Sequence, residues 1–374
     1  MTTTWNINAT LNYDYEIKKV DGLFDLKNRE LVSYCPINRA VIVIDEKVSG
    51  LYLKKIEAYL NHHKIAHRLV VIDGVETEKN LTSLLLILRE MEQFGVSRRN
   101  EPVIAIGGGV ILDVAGLAAT IYRRGVPYIR VPTTLLGIID VSVAAKTGIN
   151  FEDRRNRLGS YYPPIASFLD KSFLPTLAEI EISSGLGEIL KMAVIKDSHL
   201  FDILERNGKN LLDKKFDCQY ADEVIDLAIQ GMKEELENNL WEKNLKRIVD
   251  FGHSFSPIIE MRSLVDSSVV ALTHGQAVVL DIILSTLISF SRGMMSYDDV
   301  LRIKHTAASM ALPTFHTSFA NPALLFESLQ DTVKHRNGDQ NLPMPTTIGS
   351  SVFVNDLTYD EVVKAAELFK ELNA

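Results

Sequence analysis

PVIAIGGGVILDVAG, residues 102–116, joins a β-branched apolar run to a glycine triplet and then to a helix-like segment of small residues. A short apolar run such as Pro102–Ile106 is the pattern of a parallel strand buried on both faces. Glycines after such a strand let a backbone approach a pyrophosphate, and the helix that follows supplies free N–H groups for it. The run is not the GxGxxG fingerprint, because Leu112 stands where its last glycine would be. A tight strand–helix turn that binds nothing is the alternative reading.

Similar units lie on either side. Ala40–Asp45, Arg68–Ile72 and Val126–Val131 read as strands, and Leu51–His62, Leu81–Gln93 and Val110–Tyr122 as helices. This alternation predicts a parallel sheet with helices on both faces. After about Asp170 the period changes. Leu177–Ile195, Tyr220–Asn238, Leu245–Met261, Thr273–Ser291 and Asp298–Ala311 carry helical spacing, and one strand pair is expected near Thr346–Val354. The chain is therefore expected to be α/β plus α, divided near Pro175 into 1–175 and 176–374.

Composition sets the class. The chain has 374 residues, 46% of them hydrophobic, and a net charge of −8, so no basic footprint for nucleic acid is present. Two distant cysteines, Cys35 and Cys218, exclude a disulfide scaffold. Met1–Asn12 has no apolar core of a signal peptide, and Ala277–Phe290 is interrupted by Asp281 and Ser285. These features predict a cytoplasmic protein without a membrane partner, acting on small molecules.

Three groups of residues could carry chemistry. The first is the glycine turn with Asp45, which ends an earlier strand and suits either a ribose hydroxyl or a helix cap. The second is Arg124, Asp140, Lys146, Arg155 and Asn156, basic and polar residues near the loop Val131–Gly137 that suit an anionic substrate. Lys146 lies among small apolar residues and is expected to be partly buried, its simplest partner being Asp140. The third is Glu188 in GLGEILK, His253 in DFGHSFSP and His274 in THGQAV, each on or at the start of a helix. One glutamate and two histidines make a three-ligand zinc set with a position open for substrate, whereas a lone histidine is more often a core or surface residue.

Taken together, GGGVILDVAG, YRRGVPYIRVPTTLLGIIDVSVAAKTGIN, RRNRLGSYYPP, GLGEILKMAVIKD, DFGHSFSP and HGQAV resemble the sugar phosphate cyclases, the superfamily of dehydroquinate synthase. They occur in order and span roughly Asp45 to Gly349. The resemblance implies an N-terminal dinucleotide-binding parallel-sheet domain followed by a mainly α-helical metal-binding domain. It implies NAD at Gly107, Gly108 and Gly109, with Asp45, Glu76 and Lys79 near the adenosine end and Asp113, Thr133 and Thr134 also in contact. It implies zinc, with cobalt as the alternative, held by Glu188, His253 and His274. Arg124, Asp140, Lys146 and Asn156 would bind a sugar phosphate, and Lys146, Lys191, Asp250 and His335 would act in catalysis. A homodimer in which Arg124 reaches the neighbouring site is also implied.

The departures from dehydroquinate synthases narrow the substrate. Met232 replaces a lysine that binds their substrate carboxylate, and an arginine with the same task falls near Lys246. Pro257 replaces a histidine, Asp250 an asparagine and His335 a lysine. A buried carboxylate without a cation is strongly penalised, so the substrate is expected to lack one. Met232–Met261, Tyr161–Pro164 and Asp331–Gly338 are similar to the subgroup that cyclises sedoheptulose 7-phosphate to 2-epi-5-epi-valiolone. That activity implies transient oxidation by NAD, β-elimination of phosphate, reduction and an intramolecular aldol closure. The subgroup making desmethyl-4-deoxygadusol typically has Ala-Val-Asn where this chain has Ala277, Val278 and Val279, and Lys-Val where it has Lys146 and Thr147. A 2-epi-valiolone synthase is the nearer alternative, and a metal-dependent polyol dehydrogenase the alternative from another class. Gln276, a glutamate in most relatives, and the N-terminal extension through Val20 are further departures.

Overall fold

The computed structural model describes residues 2–152 and 154–373. The first half runs β1 (Glu16–Lys19), β2 (Arg39–Asp45), α1 (Glu46–His62), β3 (Ala66–Ile72), α2 (Leu81–Phe94), β4 (Val103–Gly107), α3 (Gly109–Ile121) and β5 (Tyr128–Pro132). A hairpin of β6 (Lys146–Phe151) and β7 (Arg154–Tyr161) follows, then β8 (Ala166–Leu169). Six strands form one parallel sheet in the order β1-β8-β5-β4-β2-β3. Alternation along β2 divides the core. Val41 and Val43 face α2 and α3, while Ala40, Ile42 and Ile44 face α1, so both sides are apolar.

The second half comprises α4 (Glu179–Ile195), α5 (Ser198–Asp213), α6 (Ala221–Glu237), α7 (Ser256–Val265), α8 (His274–Ser291), α9 (Tyr297–Ser309) and α10 (Pro322–His335). A hairpin of β9 (Leu342–Thr347) and β10 (Ser350–Val354) and a final α11 (Tyr359–Glu371) complete it. α4 and α8 run through its core, which also takes Leu135, Ile138 and Ile139 from the sheet domain. α8 is long and apolar enough by composition to cross a membrane, yet 78% of that window is buried inside the protein, as in a core helix.

One expected helix, Leu245–Met261, is mostly absent. Residues 238–255 are irregular apart from a short turn at Ile248–Asp250, and the helix begins only at Ser256. Gly252 has φ +73°, and a Cβ there would crowd Val278 and Ile282 of α8, so the chain turns sharply under α8. Pro257 then occupies the first turn of α7, where its missing N–H costs nothing. The β6–β7 hairpin was not expected. Its small and polar residues rest on α3, where Thr147 packs against Gly116.

Two departures gain an explanation. Gln276 Oε1 accepts the Thr273 N–H at 3.0 Å, closing a capping box at the start of α8, a task that an amide performs as well as a carboxylate. The N-terminal extension adds β1 to the sheet edge, and Lys19 pairs with Asp226 of α6 at 2.7 Å, tying the two halves together.

Candidate active site

Two glycines bring the first pair of site residues together. α4 and α8 cross so closely that a Cβ on Gly187 would lie 2.6 Å from the Gly275 carbonyl, and one on Gly275 would collide with Ser184. Glu188 follows the first glycine and His274 precedes the second. The backbone contact therefore places His274 Nε2 3.1 Å from Glu188 Oε1. His253 enters from the turn before α7, with its Nε2 3.6 Å from the same oxygen. One ligand atom from each of the three lies within 4.8 Å of the others.

The surrounding contacts orient these groups. His253 Nδ1 faces the Phe251 carbonyl at 3.0 Å, and His274 Nδ1 faces Glu260 Oε2 at 2.9 Å. Glu260 in turn accepts from Arg155 at 2.5 Å. Both Nε2 atoms are thus left facing Glu188, the arrangement that second partners impose on metal-binding histidines. Lys191 Nζ holds Glu188 Oε2 at 2.6 Å and leaves Oε1 to the histidines. Neither Glu188 oxygen has a geometrically good hydrogen bond although the residue is buried. A buried carboxylate short of donors beside two tethered imidazoles fits a divalent cation well.

The electrostatics agree. Burial would raise the Glu188 carboxyl, but Lys191, His274 and His253 outweigh it and hold it well below the usual range. Burial likewise lowers His253, to about 4, with Glu188 only partly offsetting this. For His274, burial is outweighed by Glu260 and Glu188, which raise it to about 9.

The glycine turn lies on the other side of the site. Gly108 caps α3 without a side-chain bond, which leaves the first N–H groups of that helix free. Thr134 Cγ2 would touch a Cβ on Gly108 at 3.1 Å, and Thr133 N–H bonds the Gly107 carbonyl, so both threonines line the turn. Asp45 caps α1 through Lys47 N–H and Val48 N–H, and its other oxygen lies against Gly74. A pyrophosphate-bearing dinucleotide fits this turn. Lys79 is buried and joins Asp113 and Asn156, each at 2.6 Å, so it ties α3 to the β6–β7 hairpin. Glu76 also faces the hairpin, accepting from Asn150 at 2.8 Å and pairing with Arg155 at 3.3 Å. A π-helical turn, Gly137–Val141, bridges the two sides and carries Asp140. Burial and Glu188 raise the Asp140 carboxyl, and Lys191 and Lys146 offset this only in part.

Several residues stand elsewhere than the sequence suggested. The Lys146 side chain is 54% exposed at the end of the hairpin and pairs with Glu242 at 2.5 Å, not with Asp140. Asp250 is bound by Arg247 at 2.6 Å and Arg336 at 3.4 Å, and these guanidinium groups hold its carboxyl low against the effect of burial. Arg247 thus takes the inward position, while Lys246 lies over Phe353. His335 pairs with Asp331 at 3.4 Å at the rim, and the next residue, Arg336, turns inward. Neighbouring residues at a helix end point about 100° apart, so one-residue register decides which is inside. Arg124 is exposed past the far end of α3, and among the described residues it has no ion pair; ~12 Å of helix separates Asp113 from Ile121 before it. Sequence reasoning did not identify Glu260 or Glu242. The signal available for Glu260 was an acidic residue within the apolar face of SPIIEM.

A parallel-sheet domain with a glycine turn, facing a helical domain with two half-buried histidines around a buried glutamate, defines a two-domain class of enzymes. Residues 69–184 match the family model described as 3-dehydroquinate synthase N-terminal, and residues 185–335 match 3-dehydroquinate synthase C-terminal. The chain belongs to the 3-dehydroquinate synthase family. It is 42% identical to a 2-epi-5-epi-valiolone synthase of Actinomyces sp., over 100% of this chain and 99% of the relative. A demethyl-4-deoxygadusol synthase of Trichormus variabilis is 33% identical over 99% of this chain and 91% of its own. The structure of the 2-epi-5-epi-valiolone synthase from Streptomyces hygroscopicus subsp. jinggangensis 5008, with NAD+ and Zn2+ bound, superposes with a TM-score of 0.94 at 42% identity, covering 98% of this chain and 100% of that one.

Proposed function

We propose that this chain is an NAD- and zinc-dependent cyclase that converts sedoheptulose 7-phosphate to 2-epi-5-epi-valiolone with release of phosphate. The observation that carries the reading is the convergence of Glu188, His253 and His274 beside the glycine turn, in a chain similar along its whole length to such synthases.

In this reading NAD supplies a hydride acceptor and then donor at one alcohol carbon. Zinc, held by Glu188, His253 and His274, supplies Lewis acidity toward substrate oxygens. The free amides at the start of α3 take the pyrophosphate, with Asp45, Glu76, Lys79, Asp113, Thr133 and Thr134 around the dinucleotide. Lys146 and Asn156 hold the substrate phosphate and fix it as the leaving group. Lys191 keeps Glu188 ionised and in one orientation. Asp140, on the π-helical turn, binds substrate hydroxyls; burial raises its carboxyl, and Lys191 and Lys146 oppose this. Asp250 and the C-terminal end of α10, with His335, orient the ring-closing end. No net oxidation occurs; one carbon–carbon bond forms and one carbon–oxygen bond to phosphate breaks.

The division at Pro175 places nucleotide binding in 1–175 and metal binding in 176–374. We further infer a cytoplasmic homodimer; the exposure of Arg124, away from its own site, supports a role in the partner's. Incubation with sedoheptulose 7-phosphate, NAD and zinc tests the function. Stoichiometric phosphate, no accumulated NADH and the NMR spectrum of 2-epi-5-epi-valiolone are expected. Accumulation of NADH from a small polyol without phosphate release would sink the reading in favour of a dehydrogenase.

A further inference from the structure

A cation lies in the middle of the sheet. Arg130 is on β5, flanked by β4 and β8, and is fully buried, as are Tyr128, Ile129 and Val131 around it. Among the described residues its partners are backbone carbonyls, not carboxylates: Nη1 donates to those of Val141 and Ala144, and Nη2 to that of Lys146 at 3.0 Å. Ser167, directly opposite in β8, donates to the Ser142 carbonyl at 3.0 Å. Tyr15, from the N-terminal extension, donates its hydroxyl to the Val143 carbonyl at 2.5 Å, and the Tyr162 N–H meets the Ala145 carbonyl at 2.7 Å. Every carbonyl from Val141 to Lys146 is thus held, all but that of Ala145 by a side chain. A cation buried in a sheet is costly unless its donors are used. The segment it serves joins the π-helical turn to β6, outside regular structure, where buried carbonyls need donors from elsewhere. The two ends of that segment are Asp140 and Lys146.

We propose that Arg130 is a positioning residue for the cyclase, assisted by Tyr15: it fixes the backbone between Asp140 and Lys146, and so the placement of the hydroxyl-binding carboxylate relative to the phosphate-binding ammonium. A guanidinium has its donors in fixed directions in one plane, so three carbonyls fastened to it cannot move independently. β6 begins at Lys146, and a slip of one residue there would turn Lys146 to the opposite face of the hairpin. Arg130 is fully buried and acts through that backbone. Tyr15 brings the N-terminal extension into the support of the site, beyond the pairing of β1 at the sheet edge.

This inference rests on the reading that Asp140 and Lys146 bind a seven-carbon ketose phosphate, and its test separates the two. KM for sedoheptulose 7-phosphate and kcat for phosphate release are measured on NAD- and zinc-loaded protein, together with bound zinc, Tm and amide hydrogen exchange. Arg130→Lys keeps the charge and loses the planar fork; it should raise KM and lower kcat, each on the order of tenfold or more, with bound zinc unchanged. Tyr15→Phe removes one hydrogen bond and should raise KM about fivefold. Exchange should quicken in both variants across residues 141–146. A merely structural clamp would lower Tm and leave the KM of the folded enzyme where it was, and that result overturns the proposal. Should Arg130→Lys not fold, Tyr15→Phe decides by the same measure. Failure of the parent reading would appear separately, as wild-type protein that releases no phosphate from this substrate.

Discussion

Replacing Glu260 by glutamine probes how the buried carboxylate sets the protonation of a metal ligand. In the metal-free chain His274 is raised from 6.5 to about 9, with burial opposing and Glu260 and Glu188 prevailing. The rise corresponds to ~3 kcal/mol of preference for the protonated ring. Zinc must displace that proton, so the apparent affinity should fall about tenfold per pH unit below 9, or about 100-fold by pH 7. His253 adds nothing in this range, because it is lowered to about 4 and is already neutral. Glu260→Gln removes the charge that raises His274 and also loosens the ring and Arg155. The lost orientation costs roughly 10–100-fold in zinc affinity. The variant should therefore bind zinc about 10–100-fold more weakly than wild type at pH 9, and the gap should narrow sharply by pH 7. Competition with a chromophoric chelator at buffered free zinc measures both. A gap that stays constant with pH, or a wild-type affinity that is flat between pH 7 and 9, would refute the reasoning.

Three further outcomes are expected. Glu188→Ala and His253→Ala should each abolish bound zinc, read by atomic absorption, together with phosphate release; retained zinc with full activity would remove the assignment. Gly275→Ala should force α8 off α4, because the added Cβ collides with Ser184, and should cost zinc binding more than it lowers Tm. Asp281 accepts the Phe255 and Ser256 N–H groups at 2.6 and 2.8 Å, and burial raises it from 3.8 to about 6. Its folded value exceeds the unfolded one, so its stabilising contribution is complete below about pH 4 and lost by pH 6, about 3 kcal/mol in all. Urea unfolding of wild type and Asp281→Asn at pH 4 and 7 should show the variant gaining on wild type as pH rises; a constant difference contradicts this.

The strands around the glycine turn were legible because a strand buried on both faces must be apolar at every position, as in β2 and β4. The long helix α6 was legible from its 3.6-residue period, and α4 and α8, buried on nearly every face, from apolar runs too long for a strand. The false helix at Leu245–Met261 shows the limit. Its apolar spacing is helical, but the contact of Gly252 with α8 imposes a left-handed turn that no local pattern reveals.

At the site, residue types were readable and partnerships were not. Glu188, His253 and His274 stood out as metal-competent chemistry in glycine-flanked motifs, and the family resemblance supplied their grouping. That Glu260 holds His274, that Arg155 holds Glu260 and that Glu242 holds Lys146 depends on contacts between residues 14 to 105 positions apart, and Glu242 meets Arg247 five positions on only because the chain between them is not helical. One-residue register chose Arg247 over Lys246 and Arg336 over His335. The sequence by itself determined the two-domain plan, the glycine turn and the inventory of ligands, because periodicity and residue chemistry are local properties. Tertiary structure alone decided which charge faces which, because a charge inside a protein is governed by whatever packing brings within a few ångströms.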